Sequence, residues 1–458
     1  MSFDLPVLPD GWQYISLEAL SQEKSITYGV VQPGTAVSHG IPIIRVNNFK
    51  DGRLELSDVM HIAPDVESKY GRTRLVGGEV LLTIVGSVGQ VAVVPKALSG
   101  FNVARAVAVI HPLKVVSANW IAICLRSPLA QHLLGSRANT TVQTTINLKD
   151  LRALPVPLPP VAIRQAIEDL IYSLDDRIAL LHETNATLEA MAQALFKSWF
   201  VDFDPVHANA GTRAATLPAE LQALFPSTFI DTPQGPVPEG WKLVPFGELL
   251  SHTIGGDWGD EQPTEKNDVR VAIIRGTDLP DLANGHSGRV PIRFTSQKKL
   301  ATRKLQDGDL VLEVSGGSKD QPTGRSLYLT NGILSQFDCP MEPASFCRLL
   351  RPAAKEIGVL LAQHMTYIYG LGKTWEYQNQ STGISNFQTT HFLENELVAV
   401  PSDDVLRAFA ETIRPMVDRA HLTQIAQLVT LRDTLLPRLI SGQLRLPDAA
   451  ATLAEAGA

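Results

Sequence analysis

The chain has 458 residues, of which 44% are hydrophobic and 19% charged, a composition typical of a globular protein that divides into several domains. The net charge of −7 excludes a polycationic binder of nucleic acid, and no apolar run approaches the roughly 18 residues that a membrane span needs. The three cysteines form no CxxC pair, and the N-terminus has no signal-peptide pattern. These features predict a cytoplasmic protein without a disulfide framework or zinc knuckle.

The first half of the chain opens with LPDGW at residues 8–12 and continues as short β-rich runs broken by Gly and Pro. The apolar runs at 41–46 and 80–85 predict buried strands, and residues 119–134 have a helical pattern. We therefore predict a mixed α/β globule over residues 1–158.

A long helix is predicted over residues 159–200, where apolar residues recur every three or four positions after Pro160. A helix of about 40 residues is about 60 Å long. Residues 201–230, rich in Pro, Ala, Thr and Asp, predict a connector with one short helix at 218–224.

The second half repeats the first in the same order. LPDGW at 8–12 returns as VPEGW at 237–241, IPIIR at 41–45 as VAIIR at 271–275, and GGEVLLTIVGSVG at 77–89 as DGDLVLEVSGGSK at 307–319. Because the offset stays near 230 residues, we interpret the chain as two copies of one unit.

The repeat predicts a second globule over 231–401, a C-terminal helix over 402–446 and a flexible tail over 447–458. The predicted fold class is α+β, with two tandem α/β globules, each followed by a long helix. The two helices are expected to pack as an antiparallel coiled-coil spacer and to give the molecule pseudo-two-fold symmetry.

Motifs of common enzymes do not occur. Gly372, Lys373 and Thr374 resemble the end of a phosphate-binding loop, but Tyr367 stands where the motif needs its first glycine. Asp309 and Glu313 could suggest nuclease carboxylates, yet the first copy has Glu79 and Thr83 there, so we interpret both as solvated acids at a strand edge. The sequence therefore predicts a chain that is not an enzyme and holds no metal.

Polar loop residues recur at matched positions in the two copies. Side chains of Arg, Lys, Asn and Gln are suited to pair with base edges, while glycine-containing loops and basic stretches can approach phosphates. A single exposed Arg or Asn on a loop is more often only solvated. The prediction of DNA contacts therefore depends on the recurrence of such residues at matched positions of the two copies. The candidate DNA contacts of the first copy are Arg45, Asn47, Asn48, Lys50, Arg72, Arg74, Ser87, Gln90, Arg105, Gln143 and Thr144. Those of the second copy are Arg275, Thr277, Asp278, Lys298, Lys299, Arg303, Lys304, Ser318, Lys319, Gln321, Arg325, Tyr377, Gln378 and Gln380.

These features together resemble the specificity (S) subunit of type I restriction-modification systems. The resemblance covers residues 8–446 and is most specific in RQAIEDLI and LEAMAQALFKSWFVDFDPV at the centre and in LLPRLISGQLRL near the C-terminus. It implies that each globule is a target recognition domain that reads one half of a bipartite, asymmetric site in double-stranded DNA.

The resemblance also implies partners. The helices would dock two methyltransferase (M) subunits, which would bring the S-adenosylmethionine site. Restriction (R) subunits would bring ATP- and Mg-dependent chemistry, and this chain would need no cofactor. Apolar residues at the ends of the helices are candidate docking sites, although burial in the chain's own core is an equally good interpretation: Leu195, Phe196, Trp199, Phe200, Leu436 and Leu439.

Two other functions remain open from the residues alone. A scaffold protein without DNA readout would also use repeated globules and helical stripes. A stand-alone nuclease or methyltransferase is disfavoured by the missing motifs.

Overall fold

The computed structural model describes residues 5–50, 52–136, 144–318, 321–381 and 384–455. The chain divides into two compact units, the first made of Met1–Asp176 with Leu428–Ala458 and the second of Arg177–Gln427. Each unit therefore holds one predicted globule together with helical segments from the middle and the end of the chain.

The first unit begins with eleven strands and four short helices within the described ranges. The strands are β1 Gln13–Ser16, β2 Thr27–Tyr28, β3 Ile41–Ile44, β4 Phe49–Lys50, β5 Arg53–Leu54, β6 Met60–Ile62, β7 Val80–Thr83, β8 Val91–Val93, β9 Asn102–Val103, β10 Val107–Ile110 and β11 Pro155–Leu158. The helices are α1 Pro64–Glu67, α2 Ala118–Arg126, α3 Pro128–Gly135 and α4 Leu148–Arg152. The predicted helix over 119–134 is thus two helices, because Ser127 caps the second and Pro128 begins it.

Helix α5, Val161–Phe200, is one continuous helix of 40 residues, close to the predicted span of 159–200. Its first part belongs to the first unit and the rest to the second. The connector that follows contains α6 Asp204–Asn209 and α7 Ala219–Gln222, the latter within the predicted short helix at 218–224.

The second unit continues with strands β12 to β25 and helices α8 to α12. The strands are β12 Phe229–Thr232, β13 Gly235–Pro238, β14 Lys242–Pro245, β15 Leu250–Gly255, β16 Val269–Ile274, β17 Ile292–Thr295, β18 Leu310–Glu313, β19 Ser315–Gly316, β20 Ser326–Tyr328, β21 Met341–Pro343, β22 Cys347–Pro352, β23 Gln378–Ser381, β24 Ile384–Phe387 and β25 Leu397–Val400. The helices are α8 Leu279–Ala283, α9 Gln297–Arg303, α10 Asn331–Leu334, α11 Lys355–Gly370 and α12 Thr389–Asn395.

Three sheets of the first unit have the same internal topology as three sheets of the second. The first unit contains β2-β10-β7-β8, β6-β3-β9 and the pair β1-β11, and the second contains β15-β22-β18-β20, β17-β16-β21 and the pair β14-β25. In both, one pair of strands is parallel: β3 with β9, and β16 with β21. The repeated entry turn is also the same, since Trp12 N donates to Pro9 O at 3.1 Å and Trp241 N to Pro238 O at 3.0 Å. The repeat predicted from the 230-residue register is therefore a repeat of structure.

The C-terminal helical region is broken, where one helix was expected over 402–446. It forms α13 Asp403–Ala420, α14 Gln424–Ile440 and α15 Leu446–Glu455. The break follows from packing, because the buried His421 lies beside Thr330, and its carbonyl would be 2.7 Å from a Cβ at Gly332. Residues 447–455, predicted as a flexible tail, lie in α15, whose Ala449 is fully buried.

Within each unit the helical segments pack antiparallel. In the first unit, Arg432 of α14 pairs with Asp175 of α5 at 2.8 Å, while Ile167 and Leu439 share one apolar core. In the second unit, Asn185 of α5 donates to the carbonyl of Ala420, and the rings of Phe200 and Phe409 lie 4.7 Å apart. The α+β class, with mixed globules followed by long helices, is confirmed. None of the helices in the described residues is both long and apolar enough to cross a bilayer.

Candidate nucleic-acid interface

The turn that follows the parallel strand β3 is built by two of the candidate residues. Asn48 is 1% exposed, and its amide accepts from Arg45 N while donating to the carbonyls of Glu55 and Asp58. Arg45 also pairs with the carboxylate of Asp58 at 3.0 Å. Asn48 is therefore a loop-forming residue whose amide is engaged within the turn.

The matching turn of the second unit is closed by an ion pair. Asp278, which is 3% exposed, accepts from the backbone N–H of Arg275 at 2.9 Å and binds its guanidinium at 2.9 and 2.7 Å. The hydrogen bonds that Arg275 donates to Asp278 raise the pKa of Arg275. Burial and pairing remove Asp278 from the candidate DNA contacts, whereas Thr277 between them is exposed.

The loop at residues 86–90 in the first unit is held by its own strand. The hydroxyl of Thr83 donates to Ser87 O at 2.6 Å and accepts from Gln90 N at 2.9 Å. Gly86 N donates to the carbonyl of Thr144, so the candidate residue Thr144 lies beside this loop. Ser87 and Gln90 are exposed, as a contact to DNA requires.

The candidate basic residues of the first unit differ in their ion pairing. Arg74 forms a bidentate pair with Glu67, at 2.9 and 2.5 Å, and the hydrogen bonds from Arg74 lower the pKa of this carboxyl although burial opposes them. Arg72 and Arg105 are exposed, and Lys50 is exposed but lies 3.7 Å from Glu55. The exposed guanidinium and ammonium groups remain suited to phosphate contacts.

Helix α9 divides the basic residues of the second unit in the same way. Lys299 pairs with Asp257 at 2.8 Å, and Arg303 Nε donates to Gly255 O at 3.0 Å, which fastens the helix to β15 and the loop after it. Lys298 and Lys304 are exposed. Lys298 lies on α9 and Lys304 directly follows it, and both ammonium groups are available to a phosphate backbone.

Two carboxylates interpreted as solvated acids are buried ion-pair partners. Asp309 is 2% exposed and binds Arg351 at 2.8 Å through both oxygens, and Glu313 is 2% exposed and binds Arg325 at 2.8 and 2.7 Å. A buried carboxylate needs such a partner, which the sequence pattern does not reveal. Arg325 is thus engaged within the fold, and its prediction as a DNA contact is not supported.

Tyr377 and Gln378 have structural partners. Tyr377 is 6% exposed and donates its hydroxyl to Glu396 at 2.6 Å, and burial together with this bond raises the pKa of Tyr377 well above its usual value. Burial opposes ionisation of Glu396, but hydrogen bonds from His364, Lys373 and Tyr377 outweigh it and lower the pKa to about 2. Gln378 accepts from Thr323 N at 3.0 Å and donates to Ser385 at 2.9 Å.

Three candidate side chains cannot be placed. Gln143 and Lys319 lie outside the described residues, and the side chain of Gln380 is not described, although its backbone belongs to β23. Ser318 and Gln321 are exposed, and Ser318 N donates to Gln321 O at 2.8 Å.

The candidate docking residues pack within their own units, where Leu195 is partly buried and the others are buried. Phe196, Trp199 and Phe200 are at most 5% exposed and pack with Phe409 and Trp241, and Leu195 packs against the same core. Leu436 and Leu439 are 5% and 1% exposed in the core of the first unit. The alternative interpretation, burial in the chain's own core, describes these residues, because the apolar positions of a helix that faces a globule pack against that globule.

Side chains outside the predicted set are exposed in the second unit. Trp258 is 39% exposed beneath the guanidinium of Arg293, and Phe346 is 61% exposed. Asn379 and Asn386 are also exposed. The sequence gives little indication of Asn379 and Asn386, because only the pairing of their strands brings these two residues together. Across the described ranges no group of three His, Cys, Asp or Glu side chains could hold a metal ion.

Comparison with known proteins defines the class. Residues 14–190 match a family model described as the type I restriction modification DNA specificity domain. The specificity subunit of the type I restriction enzyme EcoBI from Escherichia coli is 32% identical over 199 residues, covering 41% of this chain and 42% of that protein. The MjaIX specificity subunit from Methanocaldococcus jannaschii is 22% identical over 377 residues, or 81% of this chain and 78% of that protein.

A solved structure extends the similarity of fold to nearly the whole chain. The S subunit of a type I restriction-modification system from M. genitalium superposes with a TM-score of 0.53 at 15% identity, covering 95% of this chain and 98% of that one. The resemblance to type I specificity subunits is therefore confirmed. Its relatives are named as specificity subunits, in agreement with the prediction that this chain is not itself an enzyme.

Proposed function

We propose that this chain is the DNA-recognition subunit of a type I restriction-modification complex and that each unit reads one half of a bipartite, asymmetric site. The observation that carries the proposal is a shared internal topology with different side chains at matched positions. Backbone pairing equates Ala106 with the exposed Phe346, since the carbonyl of the first accepts from Ile84 N and that of the second from the matched Val314 N. One framework with two sets of side chains suits two different half-sites.

Exposed basic side chains supply phosphate contacts in this proposal. They are Lys50, Arg72 and Arg105 in the first unit and Lys298 and Lys304 in the second. Such contacts position a protein on the duplex and do not specify sequence. Because the chain carries a net charge of −7, we expect partner subunits to add positive surface around the DNA.

The proposal includes catalytic partners. Two methyltransferase subunits would provide S-adenosylmethionine chemistry, and restriction subunits would provide ATP- and Mg-dependent chemistry, while this chain would hold none of these groups. With the buried aromatic residues excluded, the docking surface on α5 would use exposed apolar residues such as Leu180 and Met191, which are 62% and 47% exposed and lie three turns apart. The complex would act in the cytoplasm, where the DNA is.

Methylome sequencing of strains with and without the gene tests the proposal. We expect one bipartite methylated motif to be present with the gene and absent without it. If no such motif disappears, the recognition function is contradicted, and a scaffold function without DNA readout becomes the better explanation of the repeat.

A further inference from the structure

A three-stranded sheet in the second unit aligns three small polar side chains. In the order β19-β24-β23, Ser315 lies directly opposite Asn386, and Asn386 lies directly opposite Asn379. Directly opposite residues share one face of a sheet. We call these three residues the amide row.

The amide row faces solvent, while the other side of the sheet packs inward. Asn379 and Asn386 are exposed and Ser315 is half-buried, whereas Ser385 and Phe387, the neighbours of Asn386 along β24, are 5% and 3% exposed. This alternation follows from the two-residue period of a strand. Ser315 and Asn386 are also joined by a hydrogen bond between their side chains.

The sheet that carries the amide row is fixed from behind. Gln378 on β23 binds Thr323 and Ser385, and Phe387 N donates to Val314 O at 2.7 Å. The ring of Phe387 lies 5.1 Å from that of Phe392 in the core. Strands fixed in this way present side chains with less loss of conformational entropy than a loose loop would.

An exposed aromatic residue borders the row. The carbonyl of Phe346 accepts from both Val314 N and Ser315 N, at 2.8 and 3.2 Å, so Phe346 lies beside the end of the row. Its side chain is 61% exposed. The matched position of the first unit is Ala106, whose carbonyl accepts from Ile84 N at 2.8 Å. The aromatic ring is thus a feature of the second unit that its repeat partner lacks.

We propose that the amide row and Phe346 form the base-reading surface of the second unit and recognise A·T pairs in the major groove. The major groove admits a β-ribbon, and an Asn amide can bind adenine through N6 and N7 while an apolar side chain contacts the thymine methyl. The amide of Asn386 sits on the central strand of the sheet and is the principal adenine contact. This inference rests on the proposed function.

The test uses the complete complex of this chain with its methyltransferase partners. Duplexes carry the methylated motif, and binding is measured for the wild type and for Asn386→Ala and Asn379→Ala. We expect affinity for the cognate duplex to fall about 10- to 100-fold for Asn386→Ala, with relaxed selectivity only in the half-site read by the second unit. Asn395→Ala, at an exposed asparagine of the same unit, is the matched control and should leave binding unchanged.

Base analogues identify the atoms that are read. Replacing each adenine of that half-site in turn by 7-deazaadenine removes N7, and we expect one replacement to weaken wild-type binding but not that of Asn386→Ala. Replacing thymine by uracil should likewise weaken the wild type but not Phe346→Ala. Thermal unfolding of each variant shows whether the fold is retained.

The outcomes distinguish a failure of the base-reading assignment from a failure of the proposed function. A wild-type complex without sequence-selective binding contradicts the proposed function. A selective wild type whose Asn386→Ala and Phe346→Ala variants keep full selectivity and full analogue sensitivity overturns only the base-reading assignment. Loss of selectivity in both half-sites, with the fold retained, also overturns it.

Discussion

Glu342 and Asn102 occupy matched positions of the two units but differ in their hydrogen-bond partners. Its carboxylate is fully buried, and neither oxygen has a hydrogen-bond partner in the described structure. At the matched position, Asn102 binds Glu67 at 2.9 Å and Thr73 at 2.7 Å. Burial, together with the nearby Asp257, raises the pKa of Glu342 to about 7, although Arg303 and Lys299 oppose the change.

Replacing Glu342 by Gln should therefore change the pH dependence of stability. With a raised folded-state pKa, the folded chain holds more protons than the unfolded chain between about pH 4.5 and 7, so wild-type stability falls as pH rises through this window. We expect Glu342→Gln to remove this loss and to be more stable than wild type at pH 8 by roughly 2–3 kcal/mol. Chemical denaturation of the full chain, followed by tryptophan fluorescence across pH, measures it.

The control for this prediction is Glu376→Gln, at an exposed carboxylate of the same unit. It should retain the wild-type pH profile. His421 has the opposite effect on the pH dependence of stability. Burial lowers the pKa of His421 to about 4, so stability is lost as pH falls from about 6.5. Because wild type and both variants contain His421, it does not affect the comparison. Identical profiles for wild type and Glu342→Gln would show that the buried carboxyl is not the cause.

In helix α5, packing decides which apolar residues lie in a core and which remain exposed. Trp199 is 1% exposed, with its ring 5.0 Å from Phe225 and 5.6 Å from Phe409, so it belongs to the core of the second unit. Leu180 and Met191 on the same helix are exposed. Periodicity predicts the helix and its apolar stripe, but the burial of each residue depends on the element that packs against it.

We expect Trp199→Ala to destabilise the second unit by about 3–5 kcal/mol, since it removes a large buried side chain. By contrast, Leu180→Glu combined with Met191→Glu should leave stability within about 1 kcal/mol, because both side chains are already in solvent. The double variant should instead lower the amount of methyltransferase subunit that copurifies with the chain.

Denaturation and copurification of the same variants distinguish the two roles. Glu183→Ala, an exposed position on the same helix, is the control for both measurements. Unchanged copurification of the Leu180 and Met191 double variant would place the docking surface elsewhere, and a stable Trp199→Ala would contradict the core assignment.

At the scale of the whole molecule, the repeat predicts modular recognition. Exchanging residues 1–158 for the corresponding domain of another specificity subunit should change one half of the methylated motif and leave the other half intact. The reason is that, among the residues that the structure describes, the strands within 1–158 pair with one another, so the exchanged segment contains its complete set of sheets. Methylome sequencing of the strain that carries the chimera measures the result.

A change in both halves of the motif would contradict modularity. The natural control is the exchange of residues 231–401, which should alter the other half alone. If neither chimera forms a complex, the packing of α15 should be checked. Ala449 of α15 is buried in the core of the first unit, and the exchanged domain must keep that contact.

The sequence by itself determined the duplication, the mixed α/β character of each globule, the span of α5 and the family resemblance. Each of these depends on short-range pattern or on register: LPDGW with VPEGW, apolar runs that become β7 and β18, and apolar steps of three and four. These patterns can be recognised in the sequence because they depend on local backbone geometry and not on contacts with distant residues.

Only the tertiary structure decided which polar side chains are available. Asn48, Asp278 and Arg325 look like loop residues suited to DNA, yet the fold buries Asn48 and Asp278 within their own turns and pairs Arg325 with the buried Glu313. The exposed Asn386, which no motif marks, is aligned with Asn379 and Ser315 by strand pairing across about 70 residues of sequence. Burial and cross-strand pairing are long-range properties, since the cost of burying a polar group is met by partners that only folding brings within hydrogen-bond distance.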